Sequence, residues 1–124
     1  MPDDQADAWW TSLCEQSHEF FAPQPPLWRL ALLPNAAVQP FGPSLIEWGG
    51  GQRWLSADLN AEVVRHQAQQ QGGHATLFCA AGARIPADGI FHPLAAGIAT
   101  ISRLLKQELD PSSLFNPGRL ITEL

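Results

Sequence analysis

Three consecutive glycines, Gly49-Gly50-Gly51, stand between two short runs, Leu45–Trp48 and Gln52–Ala57. No helix passes through such a triplet, because each glycine gives up the most backbone freedom and packs nothing in return. The spacing instead predicts a β-hairpin whose loop needs positive φ. The rest of the chain is arranged around this hairpin.

Upstream, residues 3–21 carry Trp9 or Trp10, Leu13, Ser17 and Phe20 at helical spacing, with Asp3, Asp4 and Asp7 in the first turns. Acids there suit the helix dipole, and Pro23, Pro25 and Pro26 are expected to end the helix. Leu27–Leu33 alternates as a strand and Pro34–Pro43 reads as a loop. Downstream, Asp58–Gln71 is a second helix, capped by Ser56 or Asp58 and stopped by Gly72-Gly73. Its apolar face is Leu59, Val63, Val64 and Ala68. His74–Cys79 is a strand and residues 80–91 a loop. A last helix runs from Pro93 to about Glu108, with Leu94, Ile98, Ile101 and Leu105 forming one stripe.

This order predicts an α+β fold. A small, mainly antiparallel four-stranded sheet with ferredoxin-like elements would carry its helices mostly on one face. Strand parity places Trp28, Leu30, Leu32, Ile46, Trp48, Leu77 and Cys79 toward the helices. The opposite parity holds Arg29, Glu47, Arg53, His74 and Thr76. That charged face is either solvent-facing surface or looks onto a ligand or another domain.

At 124 residues the chain is one domain, residues 1–124, with 45% hydrophobic residues. Its net charge is −5, with six Arg and a single Lys, Lys106. Without a basic stripe, and with no Tyr, nucleic-acid binding is excluded as a function class. Cys14 and Cys79 lack metal spacing and read as buried or half-buried thiols in a reducing compartment; no metal site is expected. No secretory segment or transmembrane run is evident, so a cytoplasmic location is expected, on the cytosolic side of any larger assembly.

The tail, Lys106–Arg119, packs two turns and two apolar anchors into a short segment. Asp110 can cap a turn begun by Pro111, leaving Leu114 and Phe115 as anchors. Asn116 precedes Pro117 and should be extended, and Pro117-Gly118 suits a type II turn. From the residues alone, this is equally a strap that seals the core.

The segment Leu109-Asp-Pro-Ser-Ser-Leu-Phe-Asn-Pro-Gly-Arg119 resembles the C-terminal signature of FAD-linked oxidases of the vanillyl-alcohol-oxidase type. Further stretches are similar to the second half of the FAD-binding E subunit of glycolate oxidases. They are Leu27–Leu30, Leu45–Leu55, Gly72–Phe78 and Phe91–Leu94, in the same order. The resemblance implies the C-terminal cap domain of such a subunit. FAD would be held in the intact subunit by a flavin-binding domain absent from this chain, and none would be bound by this chain alone. It further implies a second flavin subunit and an iron–sulfur subunit as partners. Activity is not expected from the isolated chain, and self-association through a face left bare is.

Under this resemblance Asn116, Gly118 and Arg119 would approach the cofactor domain. Arg29 and Arg53 are the candidates for gripping a substrate carboxylate, since a guanidinium can do so bidentately. His74, after a double glycine, is the candidate base for the hydroxyl proton of a 2-hydroxy acid. His92 reads as a helix-start residue, and His18 and His66 as helix-surface residues. The rival reading is a stand-alone α+β module that binds an anionic metabolite or a partner chain. A third is an assembly surface within a larger complex.

Overall fold

A computed structural model describes residues 3–22 and 25–118. Helix α1 spans Asp3–Cys14 and a short 3-10 turn follows at Glu19–Phe21. Strands β1 (Leu27–Ala31), β2 (Ser44–Glu47) and β3 (Gln52–Ser56) come next, then helix α2 (Ala61–Gln70), strand β4 (His74–Cys79) and helix α3 (Ala96–Leu109). The four strands form an antiparallel sheet in the order β2-β3-β1-β4. Since β3 and β4 both run antiparallel to β1, they are parallel to each other, and α2 crosses between them. This is a split β-α-β unit with β1 inserted, and it supplies the expected ferredoxin-like elements. The α+β class is as the sequence predicts.

Helix α1 is shorter than expected, and proline is not what ends it. Gln16 takes φ +53, the Gln16 amide donates to the Leu13 carbonyl (3.1 Å), and the Ser17 amide to the Ser12 carbonyl (2.9 Å). That is a Schellman closure, built here on a non-glycine residue. The same closure ends α2, as the double glycine predicts. Gly72 has φ +71 and donates to Gln69 (3.0 Å), and Gly73 donates to Ala68 (2.9 Å). At its start, α2 is capped by Asn60, whose side-chain oxygen accepts from Glu62 and Val63. Ser56 and Asp58 are therefore not the cap.

The core lies on one face of the sheet. Trp28, Leu30, Leu55, Ala75 and Leu77 meet Val64 and Ala68 of α2 there. Each aliphatic side chain fully buried this way contributes roughly 1.5–3 kcal/mol. The glycine triplet turns the β2–β3 hairpin, with Trp48, Gly49 and Gly50 all at positive φ.

Three expectations about sheet faces are corrected. Leu30 pairs with Arg53, so Arg53 lies on the core face, apart from Arg29, which pairs with Trp54. The β1–β4 register shifts between Leu27 and Trp28, which pair with Cys79 and Leu77. The bulge leaves Phe78 unopposed and carries Cys79 onto the other face, where it is exposed. Cys14 is exposed as well, so neither thiol is buried. Trp48 leaves the strand before the turn and is 79% exposed.

Helix α3 buries none of its residues, whereas α2 buries Val64, Arg65 and Ala68. Only part of the helical complement therefore covers the core face. The stripe Leu94, Ile98, Ile101 and Leu105 is exposed, and α3 stands across a cleft from the opposite face of the sheet.

Candidate functional site

The sheet face turned away from α2 is divided. Over β3 it carries an aromatic cluster. Trp54 meets Phe21 edge-on at 5.8 Å and Phe78 at 5.0 Å, and its indole N–H donates to Glu47 Oε2 at 2.5 Å. Over β1 and β4 it opens into a cleft of about 810 Å³. Arg29, His74 and Thr76 form its floor, and Ile98, Leu105 and Leu109 of α3 its far wall. Phe115 and Asn116 of the tail also line it.

Arg29 stands at the border between the two halves. Its guanidinium lies 5.9 Å from the Phe78 ring centroid. Among the described residues it has no hydrogen bond or ion pair, and no described residue lining the cleft is acidic. In a chain of net charge −5 this is a marked segregation of charge. A half-buried guanidinium held beside apolar walls, with its donors free, favours an anion.

The cleft's other cation, Lys106, is already engaged. Its ammonium donates to the Asp110 carboxylate and, at 2.6 Å, to the Phe115 carbonyl. Asp110 also accepts from the Leu114 and Phe115 amides, each at 2.9 Å. The Lys106 hydrogen bond, then these two amides, hold the Asp110 pKa down to about 2. Asp110 thus organises the tail turn, as its position before Pro111 predicts. Leu114 and Phe115 remain 74% and 70% exposed. Asn116 is not extended: it sits at φ +47, a left-handed conformation that Asn tolerates better than most residues. Gly118 follows at φ +67. Arg119 lies outside the described residues.

Of the six residues singled out from sequence, the structure brings Arg29, His74 and Asn116 onto one cleft. Gly118 lies close by in the chain but does not line it. Arg53 is elsewhere: 3% exposed, it donates to the carbonyls of Ala36 (2.6 Å), Ala37 (2.7 Å) and Gly50 (3.3 Å). Those bonds fasten the loop after β1 to the hairpin turn.

His92 was missed by the helix-start reading. Its Nδ1 accepts the Ala75 amide at 3.3 Å, closing the outer edge of β4, and its ring centroid lies 6.4 Å from that of His74. An accepting Nδ1 means a neutral ring with its proton on Nε2. Burial, then the nearby Arg65 and His74 charges, lower the His92 pKa, with Asp88 opposing. Arg65 was also missed. It is 4% exposed, donates to the Gly89 carbonyl at 2.6 Å, pairs with Asp88 at 2.5 Å and lies 6.0 Å from the Trp28 ring centroid. Its position in the apolar register of α2, one residue after Val64, was the only available signal.

Fold and cleft together define a small α+β domain with one closed face and one open, anion-favouring face. No protein-family model matches the chain, and no solved structure matches it significantly. Among curated proteins it is similar to the glycolate oxidase subunit GlcE of Escherichia coli (strain K12), with 39% identity over 123 residues. The match takes in 98% of this chain and 33% of that protein, so the chain spans about a third of the length of this relative. The resemblance read from the sequence therefore extends over nearly the whole chain. No helix among the described residues is long and apolar enough to cross a membrane.

Proposed function

We propose that this chain is the cap domain of a glycolate-oxidase-type, FAD-linked oxidoreductase subunit, and that its cleft faces the flavin and a 2-hydroxy acid. The observation that carries this reading is the convergence of Arg29, His74 and Asn116 on one acid-free cleft, in a chain similar to GlcE. Arg29 binds and orients the substrate carboxylate through its free guanidinium donors. His74 takes the hydroxyl proton at a ring nitrogen. The apolar side chains of α3 and Phe115 exclude water from the reacting centre. Asn116, Gly118 and Arg119 are carried by the Asp110 turn toward the cofactor domain.

The residues fit the ring end of a flavin and not its pyrophosphate. An unpaired cation beside an apolar wall suits the ring system, whereas Gly49-Gly50-Gly51 joins two antiparallel strands and does not open a helix as a phosphate cradle does. When bound, the flavin supplies the hydride acceptor. Its phosphates would be held by a flavin-binding domain of the same subunit. A second flavin subunit and an iron–sulfur subunit would complete the assembly.

Co-expression with the part of GlcE that this chain does not match provides the test. A co-purifying yellow complex is expected, with flavin retention reduced by Asn116→Ala combined with Arg119→Ala. A colourless preparation from which the chain separates would sink the reading. The free guanidinium of Arg29 also suits a stand-alone module for an anionic metabolite. That alternative gains support if glycolate or lactate raises the melting temperature of the chain alone while no flavin-bearing partner is retained.

A further inference from the structure

The dimensions of the cleft and the character of its walls bear on substrate class. This inference rests on the reading that the cleft is the substrate side of a 2-hydroxy-acid oxidoreductase. A volume of about 810 Å³ lies toward the upper end of the roughly 300–1,000 Å³ typical of pockets for drug-sized ligands. A two-carbon acid would occupy only the Arg29 end. Beyond it, Ile98, Leu105 and Leu109 lie along α3 at helical spacing, a wall roughly 16 Å long at 1.5 Å per residue. Phe91, Leu94 and Phe115 extend the apolar lining. Polarity is thus ordered along the cleft, with the free cation and His74 on the sheet floor and hydrocarbon on the helix side.

We infer that the cleft takes monocarboxylates with an extended apolar body, namely 2-hydroxy acids bearing an alkyl chain or aryl ring, in preference to two-carbon acids. The carboxylate pairs with Arg29 and the 2-hydroxyl lies toward His74. The body lies along Ile98, Leu105 and Leu109. Two features make the occupant an anion rather than any apolar molecule: Arg29 lacks a partner among the described residues, and no described lining residue is acidic.

Calorimetric titration of the 124-residue chain with glycolate, 2-hydroxybutyrate, 2-hydroxyhexanoate, 2-hydroxyoctanoate and mandelate tests this, with 1-octanol as the uncharged control. Affinity is expected to rise about three- to fourfold per added methylene. Arg29→Gln should weaken binding of the acids about tenfold or more and leave octanol unchanged. Arg29→Lys should recover part of the loss. Far-ultraviolet circular dichroism identifies any variant that fails to fold, and Ser102→Leu, which narrows the cleft without touching Arg29, then serves as the second variant, expected to weaken the longest acids most. A flat series, or acids and octanol binding equally in wild type and Arg29→Gln, overturns the inference. Its failure is separable from that of the functional reading. A yellow complex with a flat series sinks only the substrate class, and a rising series with no flavin retention sinks only the flavin assignment.

Discussion

Leu30 of β1 stands directly opposite Arg53 of β3, so a guanidinium shares a sheet face with the hydrophobic core. It is tolerated there because three backbone carbonyls, from Ala36, Ala37 and Gly50, take its donors. Replacing Arg53 with Met keeps much of the volume and orphans those carbonyls. A loss of roughly 2–4 kcal/mol is expected in urea unfolding, with ligand affinity in the surviving folded fraction unchanged. A selective loss of carboxylate binding with full stability would show that Arg53 reaches the ligand after all.

His92 makes stability depend on pH. Its folded pKa lies below the ordinary value of 6.5, so between the two the unfolded chain binds more protons. The stabilisation is therefore complete above about 6.5 and is lost as pH falls through the lower, folded value. Arg65, His74 and Asp88 face the ring, and only Asp88 opposes the shift. His92→Gln removes the titration and keeps an acceptor for the Ala75 amide. Denaturation midpoints measured from pH 7.5 down to about 5 should fall in wild type and stay nearly level in the variant. Parallel curves would contradict the assignment.

Asp110 acts in a separate window. With its pKa near 2, below its ordinary 3.8, the order it gives the tail is present above the ordinary value and is lost as pH falls through the folded one. Asp110→Ala should remove hydrogen-exchange protection from the Leu114 and Phe115 amides at neutral pH and leave β1 and β4 protected. If those two amides stay protected, something other than the Asp110 carboxylate holds the turn.

The glycine triplet offers an internal control. Both Gly49 and Gly50 have positive φ, at +60 and +99. A Cβ at Gly49 meets nothing within 4 Å, whereas one at Gly50 would lie 2.5 Å from the Pro34 carbonyl oxygen. Gly49→Ala should cost about 1–2 kcal/mol for backbone conformation alone. Gly50→Ala should cost more, because the loop after β1 must move as well. Equal losses would mean that the loop gives way freely.

Much of the fold was legible because local chemistry decides it. Gly72-Gly73 closes α2, the triplet turns the hairpin, and Asp110 before Pro111 starts the tail turn, each within a few residues. The ends of α1 and the start of α2 were misread for the same reason. Gln16 took the left-handed position that glycine usually signals, and Asn60 served as cap in place of nearby Ser56 or Asp58. At the site, Arg29, His74 and Asn116 could be named as residue types, but nothing local placed them together. The exposed stripe of α3 has the period of a core helix, and periodicity does not reveal which surface the stripe will meet.

Residue order alone determined the α+β class, the hairpin, the glycine-closed helix and the likeness to the glycolate oxidase E subunit. Strand register needed the tertiary structure. One bulge at Phe78 and the pairing of Leu30 with Arg53 assign Cys79 and Arg53 to the faces they occupy. Side chains alternate with a period of two, so a one-residue shift in pairing exchanges the faces completely. That exchange put Arg53 under a loop and left Arg29 free beside the cleft.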